Sequence, residues 1–268
     1  LMVQKKQIII FTDLDGSLLD KDTFKFNIIE NYFRELILKN IIIIPNSSKT
    51  EAELLDFNKQ HNLNLSFIVE NGSCIHGLNL INSNLPKKIL ISRAVDRIYE
   101  IFNSNVPNNL KNKITLIQKL NSKKQEEIFG LPLNKLKLAI KRKYTIPIKF
   151  NGSQIEKYEL IEILNNVGLT LQTGGRIINI CDNINKSKAM SKTIELISKE
   201  IDDKIVTIGV GDNQNDIEML KLSDHPCLVR NDNFNSALIN IDNLIKSAEP
   251  SPMGWADVIK TAIQKIKT

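Results

Sequence analysis

Residues 7–11, Gln-Ile-Ile-Ile-Phe, form a mainly β-branched run that ends directly in Thr-Asp-Leu-Asp-Gly. A continuous apolar run, as opposed to an alternating one, is typical of a strand buried on both faces of a parallel sheet. Parallel strands need crossover connections, which are usually helices, so this one segment predicts an α/β fold. It also predicts a ligand site, because ligands bind outside the carboxyl ends of the strands in open sheets of this kind.

The chain that follows alternates between helix and strand patterns. Residues 29–37 repeat apolar side chains at helical spacing, 41–44 are four isoleucines, and 66–70 form another strand-like run. Thr50 and Glu53 have the spacing of a capping box, so a further helix is predicted between those two strands. This alternation predicts a doubly wound, Rossmann-like parallel sheet.

The alternation stops near residue 84 and returns near residue 183. The segment between is predicted to form short helices and strands at 94–102, 123–129, 133–141, 145–150 and 176–180. The rhythm then resumes with elements at 186–200, 204–210, 216–222 and 226–229, a Pro/Ser/Gly loop at 247–254 and a last helix from Gly254. We therefore predict a core domain formed by residues 1–83 and 183–268, with an α+β domain at 84–182 inserted into it.

Composition and charge narrow the possible functions. Lys and Arg number 36 against 30 Asp and Glu, a net charge of +6, and the basic residues concentrate between 87 and 149. Aromatic residues are few in that segment, which ranks nucleic-acid binding below a solvated basic face or a site for a polyanionic small molecule. The longest apolar runs fall far short of the roughly 18 residues that a membrane span needs.

The N-terminal segment has no secretory-signal pattern, and the cysteines have no paired or metal-binding spacing. We therefore expect a cytoplasmic protein whose cysteines are reduced and structural: Cys74, Cys181 and Cys227. The histidines are scattered and are assigned no catalytic role: His61, His76 and His225.

Four acidic residues follow two of the predicted buried strands. Asp13 and Asp15 end the first strand, and Asp212 and Asp216 follow the strand at 204–210. Two carboxylates two residues apart repel each other, and a bound cation usually offsets that cost. Four carboxylates at two strand ends suit Mg²⁺, which prefers oxygen ligands. The competing interpretation is that the acids are independent helix caps.

Residues with hydroxyl and ammonium groups follow the second predicted strand and begin the helix after the insertion. Ser47 and Ser48 end the second strand, where the helix from Thr50 offers unpaired N–H groups, and Lys186 begins the helix after the insertion. A hydroxyl, an ammonium and a helix terminus together can hold a phosphoryl group. Each serine or lysine alone is more commonly a cap or a solvated charge, so the interpretation depends on their order around the sheet.

These residues resemble, in order, the four motifs of the haloacid dehalogenase (HAD) phosphohydrolase superfamily. The matching segments are Asp13-x-Asp15-Gly16-x-Leu18-Leu19, Ser47, Lys186 and Gly211-Asp212-x-x-Asn215-Asp216. The inserted domain resembles the large α+β cap of the sugar-phosphatase branch of that superfamily. Further segments resemble the mannosyl-3-phosphoglycerate phosphatase family: 47–53, 70–72, 130–133, 173–176, 185–189 and 254–255.

The resemblance implies a mechanism. Asp13 is expected to be a nucleophile that forms an aspartyl-phosphate, and Asp15 a general acid and then a general base. Mg²⁺ is expected to bind the Asp13 carboxylate, the Asp15 backbone carbonyl and Asp212, while Ser47 and Lys186 hold the phosphoryl oxygens. The other candidate substrate- and phosphate-binding residues are Ser48, Lys49, Gly174, Gly175, Arg176, Lys188, Asn215 and Asp216.

Arg176 is the first candidate for a substrate carboxylate, because a guanidinium binds a carboxylate in a fork. Arg142 and Lys143 are further candidates, and Trp255 is expected to be a packing residue. At 142–147, where the family usually has Arg-Glu-aromatic-Ser/Thr-Glu-Pro, this chain has Arg-Lys-Tyr-Thr-Ile-Pro. That difference leaves the sugar of the substrate open.

We therefore expect a Mg²⁺-dependent phosphatase that releases phosphate and a glycosylglycerate, a compatible solute, from mannosyl-3-phosphoglycerate or, next, glucosyl-3-phosphoglycerate. A HAD sugar phosphatase of broader specificity and a non-catalytic basic binding module are the alternatives. The expected partner is the small phosphorylated substrate, with no nucleic acid and no membrane. The oligomeric state stays open.

Overall fold

The computed structural model describes residues 5–173, 177–235 and 239–267. Its strands, in chain order, are β1 Lys6–Thr12, β2 Ile42–Pro45, β3 Phe67–Val69, β4 Cys74–His76, β5 Lys88–Leu90, β6 Ile114–Leu116, β7 Thr145–Phe150, β8 Leu169–Thr173, β9 Ile178–Asp182, β10 Lys204–Gly211, β11 His225–Arg230 and β12 Ile245–Pro250. Its α-helices are α1 Glu30–Leu38, α2 Glu51–Gln60, α3 Val95–Asn105, α4 Asn108–Lys111, α5 Ser122–Phe129, α6 Leu133–Ala139, α7 Gln154–Asn166, α8 Lys186–Ile197, α9 Ile217–Leu222 and α10 Met253–Lys267.

The strand predicted at residues 7–11 lies inside the core sheet. This is β1, which pairs with β10 and β2 in a five-stranded sheet of order β12-β11-β10-β1-β2 whose strand pairs are all parallel. On one face Ile10 packs in a cluster with Phe33 and Trp255, and on the other Ile9 packs in a cluster with Met190. Both faces of β1 are therefore buried, and the predicted doubly wound α/β fold is confirmed.

The inserted domain, which we call the cap, has its own antiparallel sheet of order β6-β7-β9-β8. Its hydrophobic core combines side chains of α3, α7 and this sheet, among them Ile98, Phe102, Ile146, Leu160 and Ile180. A smaller cluster under α5 and α6 includes Phe129 and Leu136. The cap is thus an α+β unit, as the sequence predicts.

The two chain connections between core and cap lie close together. Asp182, at the end of β9, accepts hydrogen bonds from the Arg93 backbone N–H at 2.6 Å and from Arg93 Nε at 2.7 Å. Strand β5 falls inside the predicted 84–182 insertion but pairs with β4, and β3 of the same small sheet bridges to the core through Asn46 and Ile68. The structure thus places β5 beside the core, and the domain boundaries stay predictions.

The prediction of a loop at 247–254 is wrong for the first half of that segment. Ile245–Pro250 is an edge strand, β12, which pairs with β11 and buries only Ile245. An edge strand is held by backbone hydrogen bonds on one side, so it can form without an apolar run. The prediction also missed α7, although Ser153 and Glu156 form a capping box at its start.

Trp255 is a packing residue, as predicted. It is fully buried at the start of α10, and its Nε1 donates to Thr12 Oγ1 at 2.9 Å. Thr12 is the last residue of β1 and precedes Asp13, so the tryptophan supports the strand end that carries the predicted nucleophile. The three cysteines are buried and free, in agreement with a structural role.

Candidate active site

The carboxyl edge of the core sheet brings together side chains from distant parts of the chain. Asp13 follows β1, Ser47 follows β2 and its Asn46 neighbour, Asp212 follows β10, and Lys186 begins α8. The side chains of these four residues are all buried. Because the strands are parallel, their carboxyl ends meet at one edge, which is where ligands bind in such sheets.

Lys186 lies between two carboxylates. Its Nζ donates to Asp13 Oδ1 at 2.5 Å and to Asp216 Oδ1 at 2.6 Å, and only 1% of its side chain is exposed. Burial alone would lower the pKa of Lys186, but the two carboxylates outweigh burial and hold that pKa above its usual range. Burial raises the pKa of Asp13 to about 6 against the opposing pull of Lys186. One oxygen of Asp13 is thus held by an ammonium, which favours the ionised carboxylate against the effect of burial.

Asp212 has a donor on each carboxylate oxygen. Ser17 Oγ donates to Oδ1 at 2.8 Å, and Asn231 Nδ2 donates to Oδ2 at 2.8 Å. Gly16 passes close by with a left-handed φ of +85°, and a Cβ there would lie 2.6 Å from Asp212 Oδ2. Only glycine combines that backbone conformation with that approach, so the turn after β1 closes directly onto Asp212.

Asp13, Asp212 and Asp216 form a cluster whose ligand oxygens all lie within 4.8 Å of one another. The ammonium of Lys186 pairs with two of these carboxylates, Asp13 and Asp216, and Asp212 adds a third acid to the cluster. Burial, and then repulsion from Asp216 and Asp13, raises the pKa of Asp212 to about 8. An all-oxygen donor set of this kind suits Mg²⁺, so the residues present fit the predicted ion. The third predicted ligand is the backbone carbonyl of Asp15, not its carboxylate.

Asp15 is held by the ammonium of Lys49. Lys49 Nζ lies 2.7 Å from Asp15 Oδ2, 3.6 Å from Glu53 Oε1 and 5.3 Å from the centre of the Phe24 ring. Asp15 Oδ1 is buried and has no hydrogen-bond partner among the described residues. An unpartnered buried carboxylate oxygen is an unusual feature that a ligand can satisfy, and here it suits proton exchange with a bound substrate.

The loop after β2 is fixed to its neighbours. Ser47 is buried, with 1% of the residue exposed. Its backbone N–H donates to the Ile68 carbonyl at 3.1 Å, and its Oγ accepts the Lys49 N–H at 3.3 Å. The Ser47 carbonyl accepts the Asn71 N–H at 2.9 Å, and Asn71 Oδ1 accepts Asn215 Nδ2 at 3.4 Å. The predicted phosphate-binding serine is therefore linked to the loops after β3 and β10.

A cavity of about 320 Å³ lies over this edge, between core and cap. On the core side it is lined by Asp13, Asp15 and Asp212 together with Ser48, Lys49 and Asn215. On the cap side it is lined by Phe129, Leu131, Ala139, Arg142, Ile177 and Asn179. The cavity has room for a small anionic ester.

The sequence is similar to those of known hydrolases. The sequence pattern of the haloacid dehalogenase-like hydrolase family matches residues 10–249. The chain belongs to this family. Two curated relatives are both named glucosyl-3-phosphoglycerate/mannosyl-3-phosphoglycerate phosphatase. The one from Persephonella marina is 27% identical and covers 97% of this chain and 98% of its own length. The one from Methanococcoides burtonii is 30% identical and covers 96% of this chain and 97% of its own length.

The fold of this hydrolase is also found among solved structures. A haloacid dehalogenase-like hydrolase from Bacteroides thetaiotaomicron has a TM-score of 0.66 and 16% sequence identity, covering 96% of this chain and 99% of that one. The predicted superfamily resemblance is confirmed, and so is the prediction of an enzyme, a phosphoric monoester hydrolase. Each helix of the described residues is too short or too polar to traverse a lipid bilayer.

Several other predicted site residues of the hydrolase lie elsewhere. Lys188 is exposed, and its Nζ donates to the Asn183 carbonyl at 2.6 Å instead of lining the cavity. Lys143 Nζ, also exposed, donates to Glu51 Oε2 at 2.7 Å. None of the three histidines lines the cavity. The remaining predicted contacts stay predictions because the residues lie outside the described parts of the chain: Gly174, Gly175 and Arg176.

Sequence reasoning missed residues that shape the site. Asn231 follows β11, so the strand-end rule that found Asp212 would have found it if it had been applied to that strand. Glu53 was assigned only a capping role. Its Oε2 does accept the Thr50 N–H at 2.8 Å, but its Oε1 faces Lys49 in the cavity wall.

Glu70 joins the core of the hydrolase to the cap. Its Oε1 accepts the Lys143 N–H at 2.9 Å, and its Oε2 accepts the Tyr144 N–H at 3.1 Å and the Thr145 hydroxyl at 2.7 Å. Its side chain is buried, and its φ of 46° is one that residues with a Cβ rarely adopt. Residues 143–145, which follow Arg142 and include the first residue of β7, are thereby fixed to the core.

We expect Glu70→Gln to lower the free energy of unfolding by about 2 kcal/mol, because an amide nitrogen cannot accept and leaves a buried donor unpaired. Urea denaturation measures this loss. Glu100→Gln, at an exposed position of α3 in the cap, is the matched control and should change the free energy by less than about 0.5 kcal/mol. Equal effects of the two substitutions would contradict the role given to Glu70.

Proposed function

We propose that this hydrolase is a Mg²⁺-dependent phosphatase that acts on glucosyl-3-phosphoglycerate and mannosyl-3-phosphoglycerate. The observation that carries the proposal is the ion-paired carboxylate of Asp13 in a cavity that Asp15, Lys49 and Arg142 also line. Basic side chains beside a phosphate site suit an ester with a second anionic group. The two relatives are named for esters of this kind.

In the first step, a carboxylate oxygen of Asp13 forms a bond to phosphorus while the bond from phosphorus to the ester oxygen of the glycerate breaks. Asp15 donates a proton to that leaving oxygen, so the glycosylglycerate departs as an alcohol. Lys186 keeps Asp13 ionised and holds its Oδ1, which orients the other oxygen for attack. Ser47 and the adjacent loop bind phosphoryl oxygens.

In the second step, Asp15 is a carboxylate and takes a proton from a water molecule. The water oxygen forms a bond to phosphorus, the bond from phosphorus to Asp13 breaks, and inorganic phosphate leaves. Because Lys49 holds Asp15 Oδ2 at 2.7 Å, the unpartnered Oδ1 is the oxygen that carries the proton in both steps. Both aspartates return to their starting protonation states.

The carboxylates of Asp13 and Asp212 and the backbone carbonyl of Asp15 would hold Mg²⁺. When bound, the ion neutralises negative charge between the attacking carboxylate and the phosphate ester. Asp216 holds the backbone that carries Asp212, because its Oδ2 accepts the backbone N–H groups of Asp212 and Asn213, each at 3.1 Å.

We expect Mg²⁺ to stabilise the protein more at higher pH. Without metal, the raised pKa of Asp212, about 8, means that the folded state loses stability as pH rises from the unfolded pKa toward that value. Metal binding needs the carboxylate form and so removes this loss. The increase in Tm caused by Mg²⁺, relative to EDTA, should be larger by about 3 °C or more near pH 8 than near pH 6. A pH-independent increase would contradict the cluster as the metal site.

Phosphate release tests the proposed substrate class. The substrates are mannosyl-3-phosphoglycerate, glucosyl-3-phosphoglycerate and an aryl phosphate, each with Mg²⁺ and with EDTA. We expect kcat/KM for at least one glycosyl ester to exceed that for the aryl phosphate by roughly 100-fold, since binding of the glycosylglycerate contributes to the transition state. EDTA should abolish all three activities.

Other outcomes separate the alternatives. Similar efficiencies on the glycosyl esters, the aryl phosphate and unrelated sugar phosphates would indicate a phosphatase of broader specificity. If no substrate reacts, and salt-sensitive binding of a polyanion persists, the basic binding module replaces the phosphatase.

A further inference from the structure

Three residues that line the cavity each have a buried side-chain atom without a hydrogen-bond partner among the described residues. Six such atoms occur among the described residues, and three of them belong to cavity-lining side chains: Asp15 Oδ1, Arg142 Nε and Asn179 Oδ1. Burying a polar atom without a partner costs about 1–3 kcal/mol. Proton transfer explains the atom on Asp15, but the mechanism does not use the two on the cap.

Arg142, which is half-buried, differs in its partners from Lys49 and Lys186, the other two cations of the site. Lys49 and Lys186 are each paired with core carboxylates. The Arg142 guanidinium instead has neutral partners, the Ser48 carbonyl at 3.4 Å from both Nη atoms and Thr145 Oγ1 at 3.0 Å from Nη1. Its Nε and the weakly engaged Nη2 together form the side of the fork that binds a carboxylate with two hydrogen bonds.

The position of Arg142 also suits binding of a carboxylate near the phosphate. Its contact with Ser48 places it next to Ser47, the predicted phosphoryl-binding residue. In a 3-phosphoglycerate group the carboxylate is separated from the phosphorylated carbon by a single carbon atom, so one small molecule can offer its carboxylate to Arg142 and its phosphate to Ser47. Glu70 holds residues 143–145, directly after Arg142, and so fixes its position over the core.

Asn179 provides an acceptor on the same wall. It lies on β9, opposite Pro147 of β7, is 3% exposed, and its Oδ1 has no donor among the described residues. A side-chain amide oxygen in such a place suits a ligand hydroxyl.

Building on the proposed function, we propose that Arg142 and Asn179 form the specificity subsite of the cap. Arg142 binds the glycerate carboxylate through Nε and Nη2, and Asn179 accepts a hydrogen bond from a hydroxyl of the sugar. The enzyme therefore selects phosphate esters with a neighbouring carboxylate over neutral ones.

The test compares three substrates: the glycosyl-3-phosphoglycerate, its carboxamide analogue and an aryl phosphate. Arg142→Lys keeps the charge but loses the fork, so kcat/KM for the carboxylate ester should fall about 10- to 100-fold. On the carboxamide and the aryl phosphate it should change less than about threefold, within the scatter expected for a lost neutral contact. Asn179→Ala should lower kcat/KM about fivefold for both glycosyl esters and leave the aryl phosphate unchanged.

Arg97→Lys, at an exposed position of α3 in the cap, is the matched control and should leave all three substrates unchanged. If Arg142→Lys lowers kcat/KM equally on all three substrates, its role is structural and the inference is overturned. The same holds if the wild-type enzyme hydrolyses the carboxylate ester and the carboxamide equally well. If the wild-type enzyme hydrolyses only the aryl phosphate, the proposed function itself fails, and this inference fails with it.

Discussion

We expect Asp13→Asn to lower kcat by about 10⁴-fold or more, because an amide oxygen is too weak a nucleophile to displace the ester. The loss should be similar on the glycosyl ester and on an aryl phosphate, since both pass through the same aspartyl-phosphate. The fold should persist, because burial already raises the pKa of Asp13 and a neutral side chain of the same shape avoids that cost. Phosphate release and thermal unfolding of the same preparation measure the two effects.

The matched control is Asp202→Asn. Asp202 is exposed and precedes β10, so it lies at the amino end of the parallel strands, opposite the site. Its substitution should leave kcat unchanged. Residual activity of Asp13→Asn above about 1% of the wild type would contradict the assignment of Asp13 as the nucleophile.

The second large effect is expected for Lys186→Met. Removing the ammonium leaves Asp13 and Asp216 buried side by side without their shared partner, and breaking a buried pair of this kind costs about 3–5 kcal/mol. Activity should fall about 10³-fold, because the nucleophile loses its orientation and its ionised state. Urea denaturation without metal measures the stability, and phosphate release with Mg²⁺ measures the activity.

Lys192→Met is the control on the same helix. Lys192 pairs with Glu195 on an outer position of α8, so its loss should cost less than about 0.5 kcal/mol and should not affect activity. If Lys186→Met were as stable and active as this control, the buried ion pairs would have no role in holding the site together.

The acidic residues at the carboxyl edge of the core sheet could be predicted from the sequence, because each of them follows directly on a strand that is recognisable by itself. An apolar run followed by two acids defines both a strand and what lies at its end, so β1 with Asp13 and β10 with Asp212 could be identified one segment at a time. The parallel sheet then dictates that these ends meet. Asn231 also follows a parallel strand directly, and it was missed only because the polar residues after β11 were not considered.

The contacts between core and cap could not be predicted in this way. Glu70 binds the backbone of Lys143, 73 residues further along the chain, and any residue except proline could donate that backbone hydrogen bond. Arg142 resembles other cap cations in sequence, and its place in the cavity wall and its unpartnered Nε become visible only in the structure. Edge strand β12 buries a single apolar side chain, so it carried no hydrophobic signal to detect.

Transfer of the phosphoryl group to Asp13 is the central claim, and a trapped intermediate tests it most directly. In Asp15→Asn, an aryl phosphate should still phosphorylate Asp13, because its leaving group needs little protonation, while hydrolysis without the general base should be slow. Acid quenching followed by peptide mass spectrometry should then locate one phosphoryl group on Asp13 within residues 7–21. An unmodified peptide during turnover, or a phosphoryl group on Ser17 or Ser47 instead, would contradict the account.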